Sequence, residues 1–345
     1  DHIAEMIDVI QALIAKDLAY EIDGEVYYDV HAFPGYGRLS GNRLEDLEAG
    51  ARVAVNTAKR DPLDFLLWKR DEKHLMQWDS PWGRGFPGWH VECSAMSVKY
   101  LGETIDLHTG GEDNIFPHHE CEIAQSEAWT GKPFATYWMH TKFLQVDGGK
   151  MSKSLGNVYT LDDVLGRGFT ARQLRFALLR GHYRQPLNFT WDTMVAARSA
   201  LEGLDDTVQR LRELAEGKGG DLAPEDGSEL VAQARATFTQ GLDDDLNVPR
   251  ALPGLFALRP AVLEHRLGSR AAAEALDFLC LANEVLGVLD MDECFIDEQV
   301  EELIEARQQA RAAQDFAEAD RIRGELEACG IVLEDGPEGV RWRRC

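Results

Sequence analysis

Apolar residues recur at three- and four-residue steps from the start of the chain, where Ile3, Met6, Ile7, Ile10, Leu13 and Ile14 trace one face of an amphipathic helix. The period then changes. The stretch "EVYYDVHAFPGYGRLSG" alternates β-forming positions and breaks at Pro34-Gly35, which predicts a short strand and a turn. Residues 44–88, including "RDPLDFLLWKR" and "WDSPWGRGFPGW", mix tryptophan, proline and charge and predict an insertion packed on a larger domain. "ETIDLHTGG" predicts a buried strand ending in glycines, "PHHECEIAQSEAW" a helix with Pro117 in its first turn, and "ATYWMHTKFLQV" a second strand. Strand, glycine turn, helix, strand is the order of an α/β layer that holds ligands at the carboxyl ends of its strands.

Beyond "TARQLRFALLRGHY" the pattern turns helical, and Val195, Leu201, Leu204, Val208, Leu211 and Leu214 form one apolar face. "GKGGDLAPEDG" predicts a loop, after which a second helical block runs to Leu289. The last segment predicts a helical hairpin, a stop at Gly330 and a β-hairpin turned by "EDGPEG". There is no internal repeat and no low-complexity tract.

A length of 345 residues leaves room for two or three domains, and 44% hydrophobic with 28% charged residues describes a globular chain. No apolar run is long enough to span a bilayer and no secretory signal is visible. The six cysteines show neither C-x-x-C nor a disulfide-framework spacing, which points to free or metal-bound thiols in the reducing cytoplasm. A formal net charge of −24 argues against nonspecific nucleic-acid binding by the chain as a whole, because such binding rests on phosphate neutralisation. Local patches are the exception. Residues 142–184 carry eight Lys/Arg against three Asp, and Arg341-Trp342-Arg343-Arg344 sets an indole among guanidinium groups able to stack on bases and pair with phosphates. The chain opens at Asp1, inside an amphipathic pattern, as the interior of a longer protein would.

Two constellations carry chemistry. His118 and Glu122 lie four residues apart in the predicted helix, so an imidazole and a carboxylate share a face, and Cys93 in "GWHVECSAM" offers a thiolate from a separate segment. Sulfur with nitrogen selects zinc. Cys121, next to Glu122, is a rival ligand on spacing alone. The other constellation is "GGKMSKSLGN", Gly148 to Asn157, whose lysines and serines sit in a glycine-flanked loop suited to an anion.

"GWHVECSAM", "FPHHECEIAQSEA", "KMSKSLGN", "DDDLNVPRAL" and the closing "DFAEADRIRGELEACGIVLEDGPEGVRWRR" together resemble the bacterial cysteinyl-tRNA synthetases, a class I aminoacyl-tRNA synthetase family, in order along the whole chain. The resemblance implies an α/β fold: the second half of a class I Rossmann-like nucleotide-binding domain, then a helical bundle and a small α+β anticodon-binding module. The implied divisions are a connecting insertion over 1–88, the Rossmann-like half with its zinc site over 89–146, the KMSKS loop and stem-contact region over 147–190, a DALR-like bundle over 191–292 and the anticodon module over 293–345.

The resemblance also implies the roles. Zinc is held by Cys93, His118 and Glu122 with one further cysteine, and it takes the thiolate of the substrate cysteine, a bond serine cannot match. Trp89 closes over that side chain. Gly110, Gly111 and Asp113 contact the ribose of ATP, which enters with Mg2+. Lys150 and Lys153 stabilise the charge developing on pyrophosphate, with Ser152 and Ser154 adding hydrogen bonds. Arg341, Trp342 and Arg343 are candidates for reading the anticodon of tRNA(Cys). The implied enzyme is a cytoplasmic monomer acting on cysteine, ATP and tRNA(Cys), with no membrane partner.

Two departures bear on activity. No H-x-G-H occurs in these residues, and the family's first zinc cysteine is absent; both belong upstream of Asp1, which is then expected to lie inside the connecting insertion. The 345 residues by themselves are expected not to form cysteinyl adenylate and to bind zinc more weakly than a whole enzyme. Two alternatives stand beside this reading. One is the paralogous ligase that joins cysteine to an amino sugar in mycothiol synthesis, which lacks the acidic residue matching Glu122 and the full tail. The other is a noncatalytic tRNA-binding fragment.

Overall fold

The opening apolar face folds as α1 (Ile3–Ala15), which buries Met6, Val9, Ile10 and Leu13. The computed structural model describes residues 1–47, 59–71, 73–217, 227–291, 298–328, 331–336 and 339–344. They fall into two units, Asp1–Leu289 and Asp290–Cys345.

In the first unit β1 (Ala19–Ile22) and β2 (Glu25–Tyr28) form a hairpin whose two turn residues, Asp23 and Gly24, both have positive φ, as a twisted two-residue turn requires. β3 (Phe65–Arg70) and β4 (Gly85–Pro87) extend it to an antiparallel sheet of order β1-β2-β3-β4. The described part of 44–88 therefore completes the opening sheet. One core joins it to the helices: Val9, Ile10 and Leu13 of α1, Tyr28, Leu67 and Trp68 of the sheet, Val91 and Ala95 of α2 (Trp89–Leu101), and Cys121 and Ala124 of α3 (Glu120–Thr130).

β5 (Ile105–Gly111) and β6 (Ala135–Thr141) pair in parallel, from Ile105↔Ala135 to Gly111↔Thr141, with α3 as their crossover. The predicted helix start is corrected here. Phe116 is extended (φ −135°, ψ 131°), residues 115–119 form a wide turn, and regular helix begins only at Glu120. The cause is local: the proline ring disfavours helical backbone in the residue before it. The predicted strand "ATYWMHTKFLQV" also divides in two. Lys142 N–H donates to the Tyr183 carbonyl, and the chain re-forms as β7 (Leu144–Val146) between β8 (Gly149–Lys150) and a parallel β9 (Leu187–Phe189).

Three helices that follow, α4 (Leu161–Gly166), α5 (Ala171–Leu179) and α6 (Trp191–Ala215), start on Thr160, Thr170 and Thr190, each closing a capping box with the residue three positions on. The bundle adds α7 (Gly227–Asp243), α8 (Val248–Phe256), α9 (Leu258–Leu263) and α10 (Ser269–Leu286). α7 and α8 approach so closely that a Cβ on Gly241 would lie 2.5 Å from the Ala251 nitrogen. The second unit is the predicted helical and β hairpins: α11 (Glu298–Ala312), α12 (Phe316–Ala328), and β10 (Ile331–Gly336) antiparallel to β11 (Gly339–Arg344), around Ile322, Leu326, Ile331 and Leu333. The predicted Gly330 stop and most of the "GKGGDLAPEDG" loop lie outside the described residues.

One buried charge ties loop 33–42 to the crossover helix. The Glu120 carboxylate, fully shielded from solvent, accepts the backbone N–H groups of Gly37 at 2.8 Å and Ser40 at 2.6 Å. Replacing Glu120 by Ala leaves the buried Gly37 donor and the half-buried Ser40 donor without that partner, so urea denaturation should show a loss of about 1–3 kcal/mol in stability.

Candidate active site

The carboxyl end of β5 and the start of α3 present the candidate ligands. Cys93, one turn into α2, faces the turn before α3, with its Sγ 3.7 Å from His118 Nε2. His118 Nε2 lies in turn 2.8 Å from Glu122 Oε1, and the three ligand atoms all fall within 4.8 Å of one another. Glu122 Oε1 is buried and makes no hydrogen bond despite that proximity. A thiol sulfur in contact with an imidazole nitrogen, beside a buried carboxylate oxygen left without a hydrogen bond, is the donor set of a zinc site, so the residues present fit a metal ion.

Sequence reasoning missed the shell around these ligands. The other Glu122 oxygen is 2.6 Å from His108 Nε2, and the other His118 nitrogen is 2.7 Å from His90 Nδ1. His119 Nδ1 is 2.8 Å from His140 Nε2, and His108, His119 and Glu122 form a second convergent set. A second His directly before Glu120 and the His of "DLHTGG" were the available signals, but only folding brings the strands and the helix to one point.

Burial sets the protonation states. It would by itself raise the Glu122 carboxyl, yet the imidazoles of His108 and His118 outweigh it and hold the group at about 2. His90 and His119 are pushed down to about 4 by burial, with neighbouring imidazoles adding to it against the opposing Glu122 charge. The Cys93 thiol is pushed up to about 12 by burial, with the Glu122 charge adding to it. At neutral pH the pocket thus holds the Glu122 carboxylate beside a neutral Cys93 thiol and the neutral imidazoles of His90 and His119, an arrangement that a bound cation would complement.

The remaining candidates are placed as follows. Trp89 is 61% exposed and stacks on the His118 ring at 4.0 Å, which rules out core packing for it. Cys121 is excluded as a ligand because it points into the hydrophobic core, 3.5 Å from the Tyr36 hydroxyl. Gly110 abuts His119, and Gly111 abuts Asp113, whose Oδ1 would lie 2.5 Å from a Cβ on Gly111. Gly110 therefore has a packing reason to be glycine, whereas the exposed Asp113 side chain can turn away from a Cβ on Gly111. Asp113 is exposed in the short turn after β5. Lys150 is exposed on β8, and Lys153 opens a short turn over Lys153–Leu155. Ser152 Oγ lies 3.2 Å from Ser154 Oγ. On β11, Arg341 and Arg343 pair with Glu334 and Val332, while Trp342 is the cross-strand partner of Leu333, a residue of the small core. Among the described residues no helix is long and apolar enough to cross a membrane.

Comparison with known proteins adds independent findings. A family model described as tRNA synthetases class I (C) catalytic domain matches residues 1–199, and one described as cysteinyl-tRNA ligase anticodon binding domain matches residues 296–343. A cysteine--tRNA ligase of Geobacillus thermodenitrificans is 47% identical over 351 residues, covering 100% of this chain and 74% of its own. One of Symbiobacterium thermophilum is 48% identical over 353 residues, covering 99% of this chain and 75% of its own. Among solved structures, the LeuRS of Agrobacterium radiobacter K84 matches 62% of this chain and 32% of its own, with 17% identity and a TM-score of 0.47.

The close packing at the end of β5 is testable. A Cβ on Gly110 would come within 2.6 Å of His119 Cε1, so Gly110→Ala must displace His119 from His140. Thermal denaturation should show this variant less stable by roughly 1–3 kcal/mol.

Proposed function

Because the chain belongs to the cysteinyl-tRNA ligase family of class I aminoacyl-tRNA synthetases, we propose that its residues serve the activation of cysteine with ATP and its transfer to tRNA(Cys), selecting cysteine through a zinc ion held by Cys93, His118 and Glu122, and that the 345 residues by themselves do not complete adenylate formation. The observation that carries the zinc reading is the convergence of Cys93 Sγ, His118 Nε2 and the unbonded, buried Glu122 Oε1. When bound there, zinc supplies a thiophilic Lewis acid, which distinguishes a substrate thiol from a hydroxyl.

The chain's own residues do the rest. His108 occupies the second Glu122 oxygen and leaves Oε1 turned to the ligand cluster. His90 takes the Nδ1 side of His118 and so fixes which nitrogen faces Cys93. Trp89, exposed over His118, covers the substrate side chain. Gly110, Gly111 and Asp113 lie at the carboxyl end of a parallel strand, where the ribose of ATP is received and the Asp113 carboxylate accepts from its hydroxyls. Lys150 and Lys153, with Ser152, hold the phosphate charge of ATP with its Mg2+ as pyrophosphate departs. Arg341, Trp342 and Arg343 contact the anticodon, an assignment supported by the family match over 296–343, which also speaks against the amino-sugar ligase. Its place of action is the cytoplasm, where free thiols persist, and it acts as a monomer.

The test is metal content together with cobalt substitution. About one zinc per chain is expected by elemental analysis. The cobalt-substituted protein should show a thiolate-to-cobalt absorption band that gains intensity with cysteine and is indifferent to serine. Cys93→Ala and Glu122→Gln should each lower zinc affinity by at least about 10-fold. Equal responses to cysteine and serine, or full zinc content in both variants, would sink the assignment.

A further inference from the structure

The lysine loop is held at its root and at its centre by two asparagine side chains, and the second has no role in the reading above. At the root, the Gly148 N–H donates to Asn188 Oδ1 of β9 at 2.8 Å. At the centre, the Asn157 carboxamide meets the backbone twice: its Nδ2 donates to the Lys150 carbonyl at 3.0 Å, and its Oδ1 accepts the Ser152 N–H at 2.9 Å. One C=O and one N–H, flanking a single residue, are the groups that a neighbouring strand would pair. The side chain thus stands in for a strand just where β8 ends at Lys150.

The pairing has consequences on both sides of Met151. Lys150 and Ser152, whose backbones are tied to one planar group, are held at a fixed spacing. Ser152 then uses its own hydroxyl to accept the Leu155 N–H at 3.3 Å and to meet Ser154 Oγ at 3.2 Å. The same N–H also donates to the Ser152 carbonyl at 3.2 Å, so both groups of Ser152 close the turn over Lys153–Leu155, and the position of Lys153 depends on a turn that starts from the residue Asn157 holds. Both lysines are therefore referred to the same amide.

We propose that Asn157 is a positioning residue for cysteine activation, its carboxamide setting the backbone from Lys150 to Ser152 and, through it, the placement of both lysines against the phosphates of ATP. The proposal rests on the reading of this loop as the phosphate-holding element. The chemistry asks for an amide specifically. Aspartate keeps the acceptor but has no hydrogen to give the Lys150 carbonyl, and it sets a negative charge beside an anion site. Alanine removes both bonds and leaves the glycine-flanked loop to sample other conformations.

Two measurements on Asn157→Ala and Asn157→Asp decide it. In the full-length enzyme, kcat for cysteine-dependent ATP–pyrophosphate exchange should fall about 10- to 100-fold, the range expected when charged groups are misplaced by about an ångström. KM for cysteine and zinc content should stay within about twofold of the parent, because the amide touches neither the zinc ligands nor Trp89. In limited proteolysis of the 345-residue chain, trypsin should cut after Lys150 and Lys153 at least about fivefold faster in Asn157→Ala, with other sites unchanged. Unchanged kcat in both variants, unchanged cleavage at the two lysines, or a parallel loss of zinc and of cysteine KM would each overturn the proposal. If the parent enzyme shows no exchange, the functional reading fails instead, and the proteolysis result alone decides whether the amide holds the loop.

Discussion

A carboxylate buried without losing its charge is the constraint around which this candidate site is arranged. Glu122 has no solvent exposure, and such a group survives ionised only if its neighbours supply hydrogens or positive charge. His108 does so from a strand, hydrogen-bonded to one oxygen, and the His118 ring lies 2.8 Å from the other in the turn before α3. They in turn need partners, which recruits His90 behind His118 and Trp138 against His108. Satisfying one charge fixes most of the side chains in the pocket, and it leaves a single oxygen, Oε1, unbonded beside a thiol.

Three successive residues of α3 show how one helix serves sheet, core and site together. Glu120 reaches out to hold the backbone of Gly37 and Ser40, Cys121 sinks into the core shared by α1 and the four-stranded sheet, and Glu122 turns to the ligand cluster. A helix advances about 100° per residue, so neighbours in sequence must face different surroundings. The placement of the pocket is therefore tied to the packing of the whole amino-terminal layer, including Tyr28, whose hydroxyl donates to the Ala124 carbonyl at 2.9 Å. The lysine loop is built on another principle. It carries little buried apolar surface and takes its shape from side-chain amides and hydroxyls, so few interactions hold the segment in place.

The segment from Lys142 to Phe189 links these parts. β7 joins β9, β9 supplies Asn188 to the loop, and Tyr183 and Arg184 just before it donate to Asp245 between α7 and α8. Asp245 and Leu246 both have positive φ, an uncommon pairing for residues with side chains.

By itself the sequence determined the periodicities, and with them the helices, the order of strand, turn, helix and strand, and the closing hairpins, because side-chain pattern and local caps act over a few residues. It also determined the family, since five motifs in order leave little freedom. It singled out Cys93, His118 and Glu122 as well, although the i, i+4 argument assumed a regular helix from Pro117 where the chain makes a wide turn before Glu120. Spacing alone left Cys93 and Cys121 open and only the family resemblance pointed to Cys93; the tertiary structure separates them physically, since Cys121 faces the core. It alone brought His90, His108, His119 and His140 to the site from α2, β5, the turn before α3, and β6, because convergence of distant segments is set by packing and strand pairing, to which no spacing along the chain corresponds.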